Sequence, residues 1–300
     1  MMNQSLKLLC VVSVVAATGC AGSKGAGQAL AGSTAEVYKT VGQTKLNLYI
    51  FSDAKFEDGK PRPAIVFFFG GGWSTGSPRQ FEPQARYFAS RGMVAISADY
   101  RIRTRDNSKV TDSLSDARSA VRWVRANAKR LGIDPNRIAA GGGSAGGHLA
   151  ASTAFISEFD DPTEDKKVSA APNALVLFNP ALVLAPMAGL DIGNAGSRLN
   201  ANLLGAEPTK VSPAHHVKAG GPPTIIFHGE SDSTVPFSTA KAFTEKMKAA
   251  GNQCQLISFP GQQHGFFNSE PSRSKTLKSA DEFLTELGWL KAKSDLKTGL

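Results

Sequence analysis

The stretch Arg137-Ile-Ala-Ala-Gly-Gly-Gly-Ser144-Ala-Gly-Gly-His148 decides how this chain is read. Arg137 to Ala140 has the length of a short strand. Ala150, Ala151 and Ala154 suit a helix packed close to a sheet. Between them Gly142-Gly143-Ser144-Ala145-Gly146 fits G-x-S-x-G, a sharp strand-to-helix turn that exposes a serine hydroxyl. Side chains two positions either side of that serine would meet the strand or the helix, hence the glycines. A glycine-rich linker without chemistry is the plainer reading of the same letters. The strand before and the helix after favour the turn that carries a nucleophile.

On both sides, apolar runs alternate with helical patterns. Lys45–Phe51 alternates polar and apolar residues, while Ala64–Phe69 is apolar throughout and reads as buried on both faces. Met93–Ser97, Ala174–Phe178, Thr224–Phe227 and Gln255–Phe259 are further strand candidates. Asp112–Leu131 has helical spacing, with Arg118, Arg122, Arg125 and Lys129 on the face opposite its apolar set. Pro236–Ala250 and Ser274–Leu290 read as amphipathic helices. Such alternation predicts a doubly wound, mostly parallel α/β sheet with its ligand site at the carboxyl ends of the strands.

The residues that carry chemistry fall at those ends. Gly70-Gly71-Gly72-Trp73 closes one strand, and consecutive glycines there let backbone N–H groups face a developing oxyanion. No Lys-Ser/Thr follows, which argues against a phosphate cradle. A nucleophilic serine needs an imidazole base and a carboxylate that fixes its tautomer. Asp232 follows the strand that ends at His228, and His264 follows the last strand. Glu230 and Asp99 are rival acids. His148, His215, His216 and His228 lack metal-ligand spacing, so neither metal nor cofactor is expected.

With the order Ser144, Asp232, His264, the chain resembles an α/β-hydrolase of the esterase/lipase type. It is close to the HGGG-containing carboxylesterases related to hormone-sensitive lipase and to bacterial acetyl- and feruloyl-esterase-like enzymes. The resemblance spans roughly residues 45 to 290 and rests on Gly70–Trp73, Asp99-Tyr100-Arg101, Asp116-Ala117, Gly142–Gly147, His228-Gly229, Val235-Pro236 and His264-Gly265-Phe266. It implies an eight-stranded sheet with a small or absent cap, and a serine esterase with catalytic Ser144, Asp232 and His264. The oxyanion donors it implies are the N–H groups of Gly71, Gly72 and Ala145. The family's usual His, which steadies the oxyanion loop, is Phe69 here, so packing is expected to hold that loop. A peptidase or thioesterase on the same fold, or a lipid-anchored binding protein with an idle triad, remain alternatives.

The chain has 300 residues, 41% hydrophobic and 20% charged, with net charge +9. That excludes disorder and a polytopic membrane protein. Three cysteines, two of them in the first twenty residues, exclude a disulfide framework. An apolar run from Leu8 to Ala17 ends in Thr18-Gly19-Cys20. It resembles a bacterial lipoprotein signal, implying lipidation of Cys20 and a cell-envelope, membrane-anchored protein, with plain secretion or a periplasmic location as the alternative. Residues 1–19 are thus expected to be a signal peptide, 20–35 a tether, 36–293 the hydrolase domain and 294–300 a tail. Arg101, Arg103, Arg105 and the helix bases read as a solvated face; no nucleic-acid module accompanies them. Oligomeric state is not legible. Pro180–Pro223 is rich in small residues and reads as an incomplete lid over an open site, with Trp73 and Phe266 as candidate acyl-pocket residues. Short-acyl or carbohydrate-linked esters are the expected substrates.

Overall fold

The computed structural model describes residues 30–53, 59–187, 189–190, 192 and 199–292. The signal segment, Cys20 and the tail at 294–300 lie outside the described residues.

Eight strands form one sheet in the order β1-β2-β4-β3-β5-β6-β7-β8. They are β1 (Thr34–Val41), β2 (Thr44–Phe51), β3 (Arg62–Phe68), β4 (Val94–Ala98), β5 (Ile133–Gly143), β6 (Ala174–Phe178), β7 (Thr224–Gly229) and β8 (Cys254–Phe259). The pairs β1/β2 and β2/β4 are antiparallel and the rest are parallel. The crossover elements include α1 (Glu82–Ser90), α2 (Arg103–Asp106), α3 (Val110–Ala126), α4 (Ala145–Phe155), α5 (Ala201–Leu204), α6 (Phe237–Ala249) and α7 (Ser272–Glu286). The sheet is the eight-stranded, mostly parallel one that the resemblance implied.

β3 is buried from Pro63 to Phe68, and β4, β6 and β7 are buried along their length. Strands covered on both faces need no alternation, so they read as continuous apolar runs. β1 departs from the expected boundary: it lies before the first anticipated strand, and Leu30 is buried. The sequence hides β1 because only one of its residues, Tyr38, is buried.

The solvated basic face is corrected at two residues of α3, while Arg103, Arg105 and Lys129 are exposed. Arg118 and Arg122 are buried, and both pair with Asp160, while Arg122 also pairs with Glu164. Arg101 binds Asp116 through two nitrogens, at 2.7 and 2.8 Å, and Arg105 pairs with Asp99 at 3.0 Å. Helical spacing separates apolar from polar positions, but it does not show that the loop after α4 folds back with acids to cover the arginines.

Asp281 on α7 holds buried Arg91 and accepts the Tyr87 hydroxyl at 2.7 Å, tying α7 to α1. Asp281→Ala would leave the guanidinium buried without its carboxylate and should cost about 3–5 kcal/mol, read by urea denaturation.

Candidate active site

Ser144 joins β5 to α4 with φ 54° and ψ −118°. A non-glycine residue in the left-handed half of the map costs about 1–3 kcal/mol and persists only where its surroundings enforce it. Here the surroundings are backbone. A Cβ on Gly142 would lie 2.5 Å from the Gly146 carbonyl and the Phe68 oxygen, and one on Gly146 would lie 2.0 Å from Phe68 O. The nucleophile turn is therefore pressed against the end of β3, and the Ser144 N–H donates to Phe178 O at 2.9 Å.

The structure brings the three predicted side chains together. The Ser144 hydroxyl donates to His264 Nε2 at 2.9 Å, and His264 Nδ1 donates to Asp232 Oδ2 at 2.7 Å. An ionised carboxylate can only accept, so Nδ1 holds the proton and Nε2 presents its lone pair to the serine. Asp232 Oδ1 accepts the N–H groups of Thr234 and Val235, each at 2.9 Å. Burial pushes the Asp232 pKa up, but the neighbouring His228 imidazole and hydrogen bonds from His264 and Val235 outweigh it and hold the carboxyl well below the usual range. The rivals lie elsewhere: Asp99 is paired with Arg105, and Glu230 is exposed.

Gly71 and Gly72 line the cavity in front of Ser144, as does Ala145. Their N–H groups donate to no backbone carbonyl among the described residues outside helices and strands. The loop that carries the two glycines is held by more than packing. Phe69 stacks on Tyr100 with ring centroids 4.1 Å apart, and the Tyr100 hydroxyl donates to Phe69 O at 2.7 Å. Gly70 N–H donates to Gln80 Oε1 at 2.6 Å. Trp73 sits at φ 56°, its carbonyl accepting from Arg103 N–H and its indole N–H donating to His148 Nδ1 at 3.1 Å. His148 Nε2 in turn donates to Val211 O at 2.7 Å. Tyr100, Gln80 and His148 thus brace the loop in which Phe69 stands where the resemblance implied a histidine. Sequence reading missed the first two because each reaches the loop through a side chain from another segment.

The cavity has about 450 Å³. Trp73 lines it, together with Val183, Leu184, Ile192, Leu199 and Leu203 from the 180–223 interval and Val235 and Pro236 beyond β7. This interval supplies an aliphatic wall despite its small-residue composition. Phe266 is a correction: it does not line this cavity. Gly265 is left-handed, and the turn after it folds Phe266 onto Phe259, centroids 4.6 Å apart. Phe267 packs beneath the nucleophile turn, where a Cβ on Gly143 would meet it at 2.4 Å.

The chain matches the BD-FAE family over residues 48–247 and the dienelactone hydrolase family over residues 200–300. It is 29% identical over 252 residues to a probable carboxylic ester hydrolase, LipM, of Mycobacterium tuberculosis (75% of this chain, 54% of LipM). It is 28% identical over 228 residues to the carboxylesterase NlhH of the same species (69% of this chain, 67% of NlhH). The chain thus spans about half the length of LipM. Esterase 2 of Thermogutta terrifontis is 51% identical, with TM-score 0.83 over 88% of this chain and 95% of that one. Structures of that esterase include forms phosphorylated by paraoxon and bound to propionate or butyrate.

Burial pushes the His148 pKa down from 6.5 to about 4 against the pull of the Val211 carbonyl. Between those values the unfolded chain takes up a proton that the folded one refuses. Stability should therefore fall as pH drops from about 6.5 to about 4, by up to about 3 kcal/mol. His148→Asn, which keeps an acceptor for the Trp73 indole, should flatten that slope in denaturation at stepped pH.

Proposed function

The chain belongs to the BD-FAE family, and on that premise we propose that it is a serine esterase of short-acyl carboxylic esters working through an acyl-enzyme on Ser144. The observation that carries the reading is the hydrogen-bonded line Ser144–His264–Asp232, opening on an aliphatic cavity. Ser144 Oγ attacks the ester carbonyl while its proton passes to His264 Nε2. The N–H groups of Gly71, Gly72 and Ala145 take the oxyanion. His264 then gives the proton to the departing alcohol, and Asp232 keeps the imidazole in the tautomer that accepts again. Water, deprotonated by the same nitrogen, releases the acid and restores Ser144.

The short-acyl reading starts from the cavity of about 450 Å³ beside Ser144, whose aliphatic lining accommodates a short acyl chain. The propionate and butyrate complexes of the Thermogutta esterase support it. We also propose an exported, membrane-anchored protein lipidated at Cys20, on the strength of the apolar run before Thr18-Gly19-Cys20. Mass spectrometry of the mature terminus tests this; an unmodified terminus at any other residue overturns it.

Ser144→Ala should fold normally and lose roughly 10,000- to 1,000,000-fold in kcat on p-nitrophenyl butyrate. Near-wild-type turnover would overturn the assignment. Each methylene is worth about 0.8 kcal/mol only when buried. Across p-nitrophenyl esters of two to sixteen carbons, kcat/KM should therefore peak at four carbons or fewer. An optimum at ten or more would overturn the short-acyl reading.

A further inference from the structure

Asn179 directly follows β6, at the carboxyl end of the strand beside β7, and is fully buried. Its backbone is left-handed, φ 42°, and its N–H donates to Phe227 O at 2.8 Å. Its side-chain Oδ1 is buried without a hydrogen-bond partner. A buried, unsatisfied carbonyl costs about 1–3 kcal/mol, and a glycine would suit the backbone better. For the fold alone, asparagine is a poor choice at this position.

What it supplies is a donor. Asn179 Nδ2 donates to Asp232 Oδ2 at 3.0 Å, on the same oxygen that accepts His264 Nδ1–H at 2.7 Å. The other carboxylate oxygen is held by Thr234 and Val235 N–H. His228 completes the surroundings, its Nε2 donating to Val235 O at 2.9 Å and lying 3.4 Å from Asp232 Oδ2. The charged and titratable groups facing the carboxylate are thus His264 and His228; Asn179 is the neutral donor between β6 and the loop after β7.

We propose that Asn179 is a positioning residue of the catalytic line: its amide fixes the rotation of the Asp232 carboxylate and draws charge from the oxygen that holds His264. This rests on the serine-esterase reading. Without the donor, Oδ2 carries more charge and holds a protonated His264 more firmly. The base is then unavailable at pH values where the wild type already works.

The test compares the full-length wild type with Asn179→Gly and Asn179→Ala. Glycine removes the donor and favours the backbone; alanine removes the donor and keeps a Cβ. Active sites are counted by paraoxon, and kcat and KM for p-nitrophenyl butyrate are measured from pH 5 to 9. Per active site, Asn179→Gly should lose about tenfold in kcat with KM within about twofold, and the acid limb of kcat/KM should move up by about half a pH unit or more. Asn179→Ala should move that limb in the same direction. If glycine does not fold, the alanine variant reads the same limb. An unmoved acid limb in every variant that folds overturns the proposal, whatever happens to stability. Failure of paraoxon to label wild-type Ser144 would instead overturn the esterase reading, and this role with it.

Discussion

The structure depends on one close approach of backbone to backbone, where the turn around Ser144 presses on the end of β3. Gly142 and Gly146 have no room for a single added carbon against the carbonyls of Phe68 and Phe69. That contact forces Ser144 into its left-handed conformation and lifts its hydroxyl above the sheet. It also brings α4 so near β3 that Ala145 and the glycines after Phe69 border one cavity. The proposed nucleophile and oxyanion donors are consequences of the same packing, and a relaxed turn would separate them.

Charge around this centre is handled by saturation. Asp232 lies in a buried pocket where desolvation alone would favour its neutral form, yet donors from three segments keep it ionised. His148 solves the opposite problem. It is buried with an indole donor on one nitrogen and a carbonyl on the other, which requires the neutral ring. One imidazole must stay neutral so that the glycine loop keeps its brace, while the other is partly exposed and faces a carboxylate.

Position 69 shows how a glycine loop can be held without a histidine. Phe69 contributes a stacked ring and a backbone carbonyl, and Tyr100 binds both. Gln80 anchors the next N–H, and Trp73 crosses to His148. Together these contacts hold Trp73 in a strained conformation that a bulky residue rarely adopts. The loop is fixed by three side chains from three segments, with no single histidine within it.

The sequence by itself determined the inner strands of the sheet, because buried parallel strands such as Ala64–Phe69 and Ala174–Phe178 must be continuously apolar. It also determined the nucleophile turn, since only glycine tolerates the contacts at 142 and 146. The chain order of Ser144, Asp232 and His264 was legible because each follows a strand and stands beside glycine or turn residues. Tertiary structure alone decided the rest. Whether Phe266 faces the cavity or β8 depends on one left-handed glycine, and both outcomes look alike in the letters. Arg118 and Arg122 fall on a polar helical face, yet they are buried because a later loop brings Asp160 and Glu164 over them. Asn179, Gln80 and Tyr100 act through side chains that meet partners from distant segments, and no local pattern records such a meeting. Periodicity and turn chemistry are local and survive in one dimension; partnership between side chains exists only once the chain has folded.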